Sequence, residues 1–257
     1  MAVVVRSLAG RLSPWPTPRA VLFDLDDTLI DRSATILRFA ARFARDFGDW
    51  LAERDPARLH AAIVAADRGG YRSREELAEN LLRLLPWRER PTGEVLQRYW
   101  ADHFGPSSQA STGALGLISW LRARGVKTGI VTNGAATQHV KIDALGVRSH
   151  MDAIVVSEEV GYAKPDARIF RRALRHLRVE PREAWFVGDH PVNDVAGAAA
   201  VGMRAFWLRR QLPWPGGQAL AGAPIDSLDE LLPLLVEATP SDASEAPLDG
   251  AFAPSSG

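Results

Sequence analysis

The stretch that decides the fold is Val21-Leu22-Phe23-Asp24-Leu25-Asp26-Asp27-Thr28-Leu29-Ile30-Asp31. An apolar run of strand type ends in Asp24, and a second carboxylate, Asp26, follows two residues later. Side chains two residues apart in an extended backbone lie on the same side, so these two carboxylates are expected to repel each other. Such a pair is tolerable with a cation or a shared proton. Taken alone, it is equally typical of a solvated acidic turn.

Composition limits the class of protein. With 257 residues, 46% hydrophobic and 24% charged, the chain is typical of a globular protein of one large domain or two small ones. Its 31 basic and 31 acidic side chains give a formal net charge of zero, and we expect no nucleic-acid partner. The absence of cysteine excludes disulfides and thiol catalysis. No window reaches the roughly 18 apolar residues of a membrane span. We therefore expect a cytoplasmic protein with no membrane partner.

The first half of the chain is predicted to be mainly helical. Residues 1–18 contain three prolines after residue 13 and are expected to form an irregular lead-in. Asp31 and Ser33 offer N-cap side chains for a helix, and further helices are predicted at about 56–66, 73–85 and 91–103. Because residues 33–107 contain no convincing strand, we predict that they form an inserted all-helical cap.

The second half alternates helices and strands. Short apolar runs predict strands at 20–23, 127–132, 153–156, 184–187 and 203–207, the last run being taken as the final strand. Helices are predicted between them, including 166–178 with Pro165 at its start, 192–200, and one near 227–237. This alternation predicts an α/β fold with a doubly wound, mostly parallel Rossmann-like sheet, formed by residues 19–32 and 108–237. The tail, 238–257, is expected to be disordered.

Polar side chains occur where the predicted strands end. They are Asp24 and Asp26 after the first strand, Thr132 and Asn133 after the second, Lys164 after the third, and Asp189 after the fourth, with Asp194 five residues later. Each has an ordinary alternative as a turn, a helix cap or a surface residue. However, parallel sheets carry their functional groups at the carboxyl ends of the strands, so the joint occurrence predicts one site.

The chemistry of these side chains is coherent. Asp24, Asp189 and Asp194 supply the hard oxygen ligands that Mg²⁺ prefers. Lys164 is one of only three lysines, with Lys127 and Lys141, so each lysine is expected to have a lysine-specific role. The ammonium of Lys164 would relieve the repulsion among the acids and would hold the phosphoryl group that is transferred. Asp24 could attack phosphorus.

The remaining residues fit the same reaction. Asp26 could protonate the leaving oxygen and later activate water. The hydroxyl of Thr132 and the amide of Asn133 could hold the phosphoryl oxygens. Catalysis would then rest on positioning and on charge stabilisation.

Four motifs resemble the signatures of the haloacid dehalogenase (HAD) superfamily, in the same order. They are Asp24-Leu25-Asp26-Asp27-Thr28, Val131-Thr132-Asn133-Gly134, Ala163-Lys164-Pro165-Asp166 and Gly188-Asp189-His190-Pro191-Val192-Asn193-Asp194. The resemblance covers about residues 19–210. A helical insertion between the first and second motifs is similar to the phosphatase branch whose cap is a helical bundle.

This resemblance implies a role for each matching residue. Asp24 would be the nucleophile and Asp26 the general acid/base, with Mg²⁺ bound by Asp24, the backbone carbonyl of Asp26, and Asp189, assisted by Asp194. The implied enzyme is a Mg²⁺-dependent phosphatase that hydrolyses a small phosphorylated metabolite, such as a nucleotide or a sugar phosphate, through an aspartyl-phosphate. True haloacid dehalogenases lack the aspartate that matches Asp26. The alternatives are a phosphomutase on the same core and a non-catalytic binding or regulatory protein.

The predicted cap is expected to select the substrate. Gly69-Gly70 interrupts its helical pattern beside Arg68 and Tyr71, which predicts a loop over the active site with a side chain touching the leaving group. A plain interhelical turn is the alternative. Trp87, Trp100 and His103 are candidates for the same cavity or for core packing. His190 is expected to shape its loop, and the protein to be a monomer or a homodimer.

Overall fold

The computed structural model describes residues 17–70, 72–215 and 221–238. Within these residues, six parallel strands form one sheet in the order β3-β2-β1-β4-β5-β6. The strands are β1 (Ala20–Phe23), β2 (Lys127–Thr132), β3 (Ala153–Val156), β4 (Ala184–Gly188), β5 (Arg204–Leu208) and β6 (Ala223–Ile225). The chain moves outward from β1 to β3 and then crosses back to β4 on the other side of β1. The doubly wound parallel sheet is confirmed, and the strand order reverses between β1 and β4.

Helices cover both faces of the sheet. They are α5 (Ala114–Ala123), α6 (Thr137–Ala144), α7 (Ser157–Val160), α8 (Ala167–Leu177), α9 (Gly197–Ala200) and α10 (Leu231–Ala238). Side chains of β1 alternate between the two apolar clusters: Val21 and Phe23 pack with α5 and α10, whereas Ala20 and Leu22 pack with α8 and α9. A strand buried on both faces explains the continuous apolar run that precedes Asp24.

Four more helices lie between β1 and α5 in the chain. They are α1 (Arg32–Asp46), α2 (Pro56–Asp67), α3 (Arg74–Leu84) and α4 (Gly93–His103). Asp31 caps α1, as predicted, by accepting a hydrogen bond from the Ala34 amide at 2.9 Å. Ser73 and Glu76 form a reciprocal capping box at the start of α3. These helices bury a third apolar cluster of their own. That agrees with the predicted cap, whose boundaries at 33 and 107 stay a prediction.

The two ends of this helical segment lie side by side. The Asp31 amide donates to the Gln109 carbonyl at 2.9 Å, and the Ser111 amide donates to the Leu29 carbonyl at 2.8 Å. Between them, Ile30 and Ala110 form an antiparallel bridge. The segment therefore leaves the sheet and returns to it at a single point.

Single 3₁₀ turns complete the described structure. They are Arg68–Gly70, Gly105–Ser107, Arg148–His150, Pro181–Glu183 and Leu228–Glu230. No helix among the described residues is long and apolar enough to cross a bilayer.

Two predictions about elements were wrong, and a third gave the right helical range but not the type of its first turns. The strand at Arg204–Leu208 is not the last, because Ala223–Ile225 adds a short edge strand, where Pro224 is tolerated. The predicted 192–200 helix begins as a π-helix, Pro191–Ala196, and continues as α9. Pro165 does not start α8, because Asp166 is its N-cap and accepts from the Arg168 amide at 2.9 Å. The predictions for residues 1–16 and 239–257 lie outside the described residues.

Candidate active site

Three carboxylates and one ammonium group meet at the carboxyl ends of β1 and β4. Oxygens of Asp24, Asp189 and Asp194 all lie within 4.8 Å of one another. Lys164 Nζ lies between two of these acids, 2.5 Å from Asp24 Oδ1 and 2.6 Å from Asp194 Oδ1. Asp24, Lys164 and Asp194 are buried, whereas Asp189 is half-buried. The structure thus brings together the residues that the sequence placed after separate strands.

The acids of this group carry more negative charge than Lys164 neutralises. Burial raises the pKa of Asp24 to about 7, although the ammonium of Lys164 opposes the shift. Burial raises the pKa of Asp189 to about 9, and the negative charges of Asp24 and Asp194 add to it. Burial disfavours the ammonium of Lys164, but the charges of Asp194 and Asp24 outweigh it and raise the pKa of Lys164. A hard divalent cation would relieve this repulsion, and the all-oxygen donor set fits Mg²⁺.

Local backbone structure brings Asp194 to this group. A Cβ on Gly188 would lie 2.5 Å from Asp194 Cβ, so only glycine allows this approach. His190 Nδ1 accepts hydrogen bonds from the amides of Val192 and Asn193 at 3.2 and 3.1 Å, and the His190 amide donates to Asp194 Oδ2 at 3.0 Å. His190 therefore caps the π-helix that carries Asp194, which is the shaping role expected from the sequence.

Thr132 and Asn133 occupy the carboxyl end of β2. The Lys164 amide donates to Asn133 Oδ1 at 2.8 Å, and Asn133 Nδ2 donates to the Lys164 carbonyl at 3.1 Å. Both ends of the Asn133 side chain thus hold the backbone of Lys164. Thr132 Oγ1 is buried and accepts from Gln138 Nε2 at 2.6 Å. Both residues line the same cavity as Asp24.

Asp26 is held by residues that the sequence analysis did not select. Lys141 Nζ donates to both of its carboxylate oxygens, at 2.8 and 2.7 Å, and Gln138 Nε2 donates to Oδ2 at 2.9 Å. Arg32 Nη1 lies 3.5 Å from Oδ1. Burial opposes ionisation, yet the charges of Lys141 and then Arg32 lower the pKa of Asp26 to about 2. The scarcity of lysine was the signal that could have identified Lys141.

The site opens into a cavity of about 650 Å³ whose walls come from both halves of the chain. Residues of the α1–α4 segment that line it include Arg32, Asp67, Gly69, Gly70, Arg72, Arg74 and Trp100. The Gly69-Gly70 break therefore does face the active site, as predicted.

The other cap candidates differ in position. Arg68 is exposed and is not part of the cavity wall, and Tyr71 lies outside the described residues. Trp87 packs against the apolar cluster of the α1–α4 segment, where its Nε1 donates to the Leu81 carbonyl at 3.1 Å. His103 contacts the ring of Tyr99. Neither Trp87 nor His103 lines the cavity.

Fold and site together define a doubly wound parallel sheet with an acidic centre at its switch point. The family model described as haloacid dehalogenase-like hydrolase matches residues 18–202. The chain therefore belongs to the haloacid dehalogenase-like hydrolase family, and the resemblance is confirmed.

Named relatives support this placement. Phosphoglycolate phosphatase from Cupriavidus necator is 31% identical over 224 residues, which are 85% of this chain and 94% of that protein. Phosphoserine phosphatase from Thermus thermophilus is 44% identical over 92 residues, which are 35% of this chain and 37% of that protein. Several curated relatives are matched over only 37% to 57% of their length. The HAD-hydrolase YfnB from Bacillus subtilis shares the fold, with a TM-score of 0.66, 23% identity, and coverage of 87% of this chain and 99% of that one.

Proposed function

We propose that this protein is a Mg²⁺-dependent phosphatase that hydrolyses small phosphorylated metabolites through an aspartyl-phosphate. The observation that carries the proposal is the buried arrangement of Asp24, Lys164 and Asp194 beside Asp189, open to a cavity. The relatives that include phosphoglycolate and phosphoserine phosphatases support an activity on phosphoric monoesters of small molecules. Those substrates are the substrates of those proteins.

Mg²⁺ fits the residues present. The carboxylates of Asp24, Asp189 and Asp194, with the backbone carbonyl of Asp26, would hold it. When bound, the ion neutralises part of the negative charge of the site and of the phosphoryl oxygens.

Asp24 and Asp26 divide the two chemical steps. In the first, an oxygen of Asp24 attacks phosphorus, the bond from phosphorus to the leaving oxygen breaks, and that oxygen takes a proton from the carboxyl of Asp26. In the second, the carboxylate of Asp26 takes a proton from water, which attacks phosphorus and frees Asp24 and inorganic phosphate. Lys164 stabilises the charge that develops on the phosphoryl oxygens.

The surroundings of Asp26 favour the ionised form that the proposed second step needs. Its low pKa and its two contacts with Lys141 keep it ionised, as a base requires. To act as an acid in the first step, Asp26 must loosen its contact with Lys141 and take up a proton. A carboxylate at this position also favours phosphatase over dehalogenase chemistry. The fold alone does not separate these two, because dehalogenase structures with 20% and 21% identity share it.

The decisive experiment measures phosphate release from p-nitrophenyl phosphate. We expect turnover with Mg²⁺, loss of turnover after chelation, and loss in Asp24→Asn, which keeps the shape of the side chain and removes the nucleophile. Asp143→Asn is the matched control, because Asp143 is exposed and pairs with Arg148. Full activity in Asp24→Asn or without metal would refute the mechanism. Conversion of a sugar 1-phosphate to its 6-phosphate isomer, without free phosphate, would instead support the phosphomutase alternative.

A further inference from the structure

The cap side of the cavity carries more positive charge than its acids neutralise. Three arginines line this wall: Arg32, Arg72 and Arg74. The only acid of the α1–α4 segment on the wall is Asp67, and Arg32 occupies both of its oxygens, through Nε at 2.8 Å and Nη2 at 2.7 Å. Arg32 thus holds both oxygens of Asp67, and its Nη1 also lies 3.5 Å from Asp26 Oδ1. The positive charges of Arg72 and Arg74 therefore have no acid of this wall as an ion-pair partner among the described residues.

Neither of these two arginines has a hydrogen bond or an ion pair within residues 17–70, 72–215 and 221–238. Arg72 is half-buried, and its Nε is shielded from solvent without an acceptor. A buried donor without a partner is costly, so an acceptor from outside the chain would be favourable there. Two acids lie in the first turn of α3: Glu75 is exposed, and Glu76 accepts a hydrogen bond from the Ser73 amide at 3.0 Å.

The position of Arg74 also disfavours a cation. Arg74 is the first residue of α3, where the helix dipole places partial positive charge. Arg74 is exposed overall, but partial burial lowers its pKa; the charge of Asp67 opposes this shift, and the charge of Arg32 adds to it. An anion bound between Arg72 and Arg74 would relieve both of these penalties and would also face the start of the helix.

We propose that Arg72 and Arg74 form a second anion site, which binds a carboxylate or a phosphate on the leaving group of the substrate. The substrate class is then a phosphate monoester with a second anionic group. This inference rests on the proposed phosphatase function. The phosphoryl group to be transferred lies at Asp24 and Lys164, on the sheet side of the cavity. The second anion lies against the cap, where the forked guanidinium groups match the geometry of carboxylate and phosphate.

Matched substrate pairs test the proposal. Glycerol 3-phosphate and 3-phosphoglycerate differ by a carboxylate, and fructose 6-phosphate and fructose 1,6-bisphosphate differ by a phosphate. We expect kcat/KM to be higher for the doubly anionic member of at least one pair by about 10- to 100-fold, as expected for charge-assisted hydrogen bonds. The pair that shows the larger ratio identifies the group as carboxylate or phosphate.

Variants assign the preference to the two arginines. Arg72→Gln and Arg74→Gln should each lower the ratio within the preferred pair by about tenfold, and Arg74→Lys should restore part of it. Arg83→Gln is the matched control, because Arg83 is exposed at the other end of α3 and bonds only to Asn80 within the described residues. It should leave both the ratio and the activity unchanged. Melting temperatures of all variants identify any loss of folding.

Two results would overturn the inference. One is a ratio near one in both pairs for the unmodified protein. The other is a ratio of kcat/KM that persists when Arg72→Gln and Arg74→Gln are combined, or a ratio that only Arg68→Gln removes. If the protein released phosphate from no ester, the proposed function would fail instead. In that case, calorimetry would compare the affinity of the protein for 3-phosphoglycerate with its affinity for glycerol 3-phosphate. Equal affinities would refute the anion site independently of any activity.

Discussion

Lys141 lies against Asp26, the residue that exchanges a proton in the proposed mechanism. Its ammonium contacts both oxygens of Asp26, and Gln138 connects the same carboxylate to Thr132. These contacts hold Asp26 in one orientation, because three donors converge on one carboxylate. Lys141 lies on α6, which the sheet positions, whereas Arg32 reaches Asp26 from α1. Asp26 is thus the point at which both halves of the chain meet.

Replacing this lysine should change the pH dependence of catalysis. In Lys141→Met, Asp26 loses its strongest stabilising charge, so its pKa should rise and its base form should be lost at a higher pH. We expect the acidic limb of the kcat profile to move upward by about 1 to 3 pH units, the usual effect of one close opposite charge. The control is Lys127→Met, whose ammonium bonds to the Leu177 carbonyl instead. An acidic limb that stays in place would contradict this role of Lys141.

The raised pKa values of Asp24 and Asp189 couple metal binding to pH. With values of about 7 and about 9, one or both carboxyls hold a proton near neutral pH in the metal-free protein. A metal ligand must be deprotonated, so Mg²⁺ binding should release protons, and affinity should fall as the pH is lowered from about 9 to about 6. Calorimetry in buffers of different ionisation enthalpy measures this release. Asp189→Asn should reduce it, and an affinity independent of pH would contradict the assignment.

At the scale of elements, a buried ion pair connects α1 to α2. Arg32 and Asp67 form two hydrogen bonds, and both side chains are almost fully buried. By contrast, the pair of Arg54 with Asp49 in the same helical segment is solvent-exposed. Both pairs join an arginine to an aspartate, so a comparison of the two shows how burial changes the contribution of such a pair to stability.

Removing the acid of each pair should have very different costs. Asp67→Ala leaves the Arg32 charge buried without its main partner and should lower the free energy of unfolding by about 3 to 5 kcal/mol. Asp49→Ala should lower it by less than about 1 kcal/mol, because water screens and solvates both charges. Urea unfolding of the two variants measures the difference. Equal losses would mean that Arg32 finds sufficient compensation in Asp26.

Elements differ in how well the sequence predicts them. The strands β1, β2 and β3 were predicted at their observed positions. Strands that are buried on both faces are rich in apolar residues, and this composition can be recognised in the sequence alone. The edge strand β6 contains only three residues, two of them half-buried, and its signal is too short to detect. The π-helix at 191–196 depends on His190, whose ring accepts two backbone amides. A single contact of this kind leaves no periodic pattern in the sequence, so the π-helix could not be predicted from it.

The same difference applies to the site. Asp24, Thr132, Lys164 and Asp189 could be predicted because each follows a strand, and parallel strands end at the same edge. Lys141 and Gln138 lie on α6, Arg72 lies in the α2–α3 connection, and Arg74 is the first residue of α3. Their distance from Asp24 depends on how helices pack, which spacing along the chain does not encode. Arg68 shows the limit: the loop was predicted, but neighbouring arginines, rather than Arg68, line the cavity.

At the scale of the whole molecule, the sheet and the α1–α4 segment have separate apolar clusters. Because the ends of this segment are hydrogen-bonded at Asp31 and Gln109, replacing residues 33–107 by a short glycine-serine linker should leave the sheet folded. We expect a cooperative thermal transition in calorimetry and a lower helical signal in circular dichroism. A broad transition without cooperativity would show that the two parts fold only together, and would refute the predicted cap boundaries.

The central position of β1 has a consequence for synthesis on the ribosome. Ala20 pairs with Lys127 on one side and with Ala184 on the other, so this strand has no partner until residue 127 has been translated and only one partner until residue 184. During that time Val21, Leu22 and Phe23 form an apolar segment with free edges, which is prone to aggregation. The helices that follow have mainly local contacts and can form while translation continues. The nascent chain thus forms its helices first. The acidic site forms late, when β4 pairs with β1 and brings Asp189 beside Asp24.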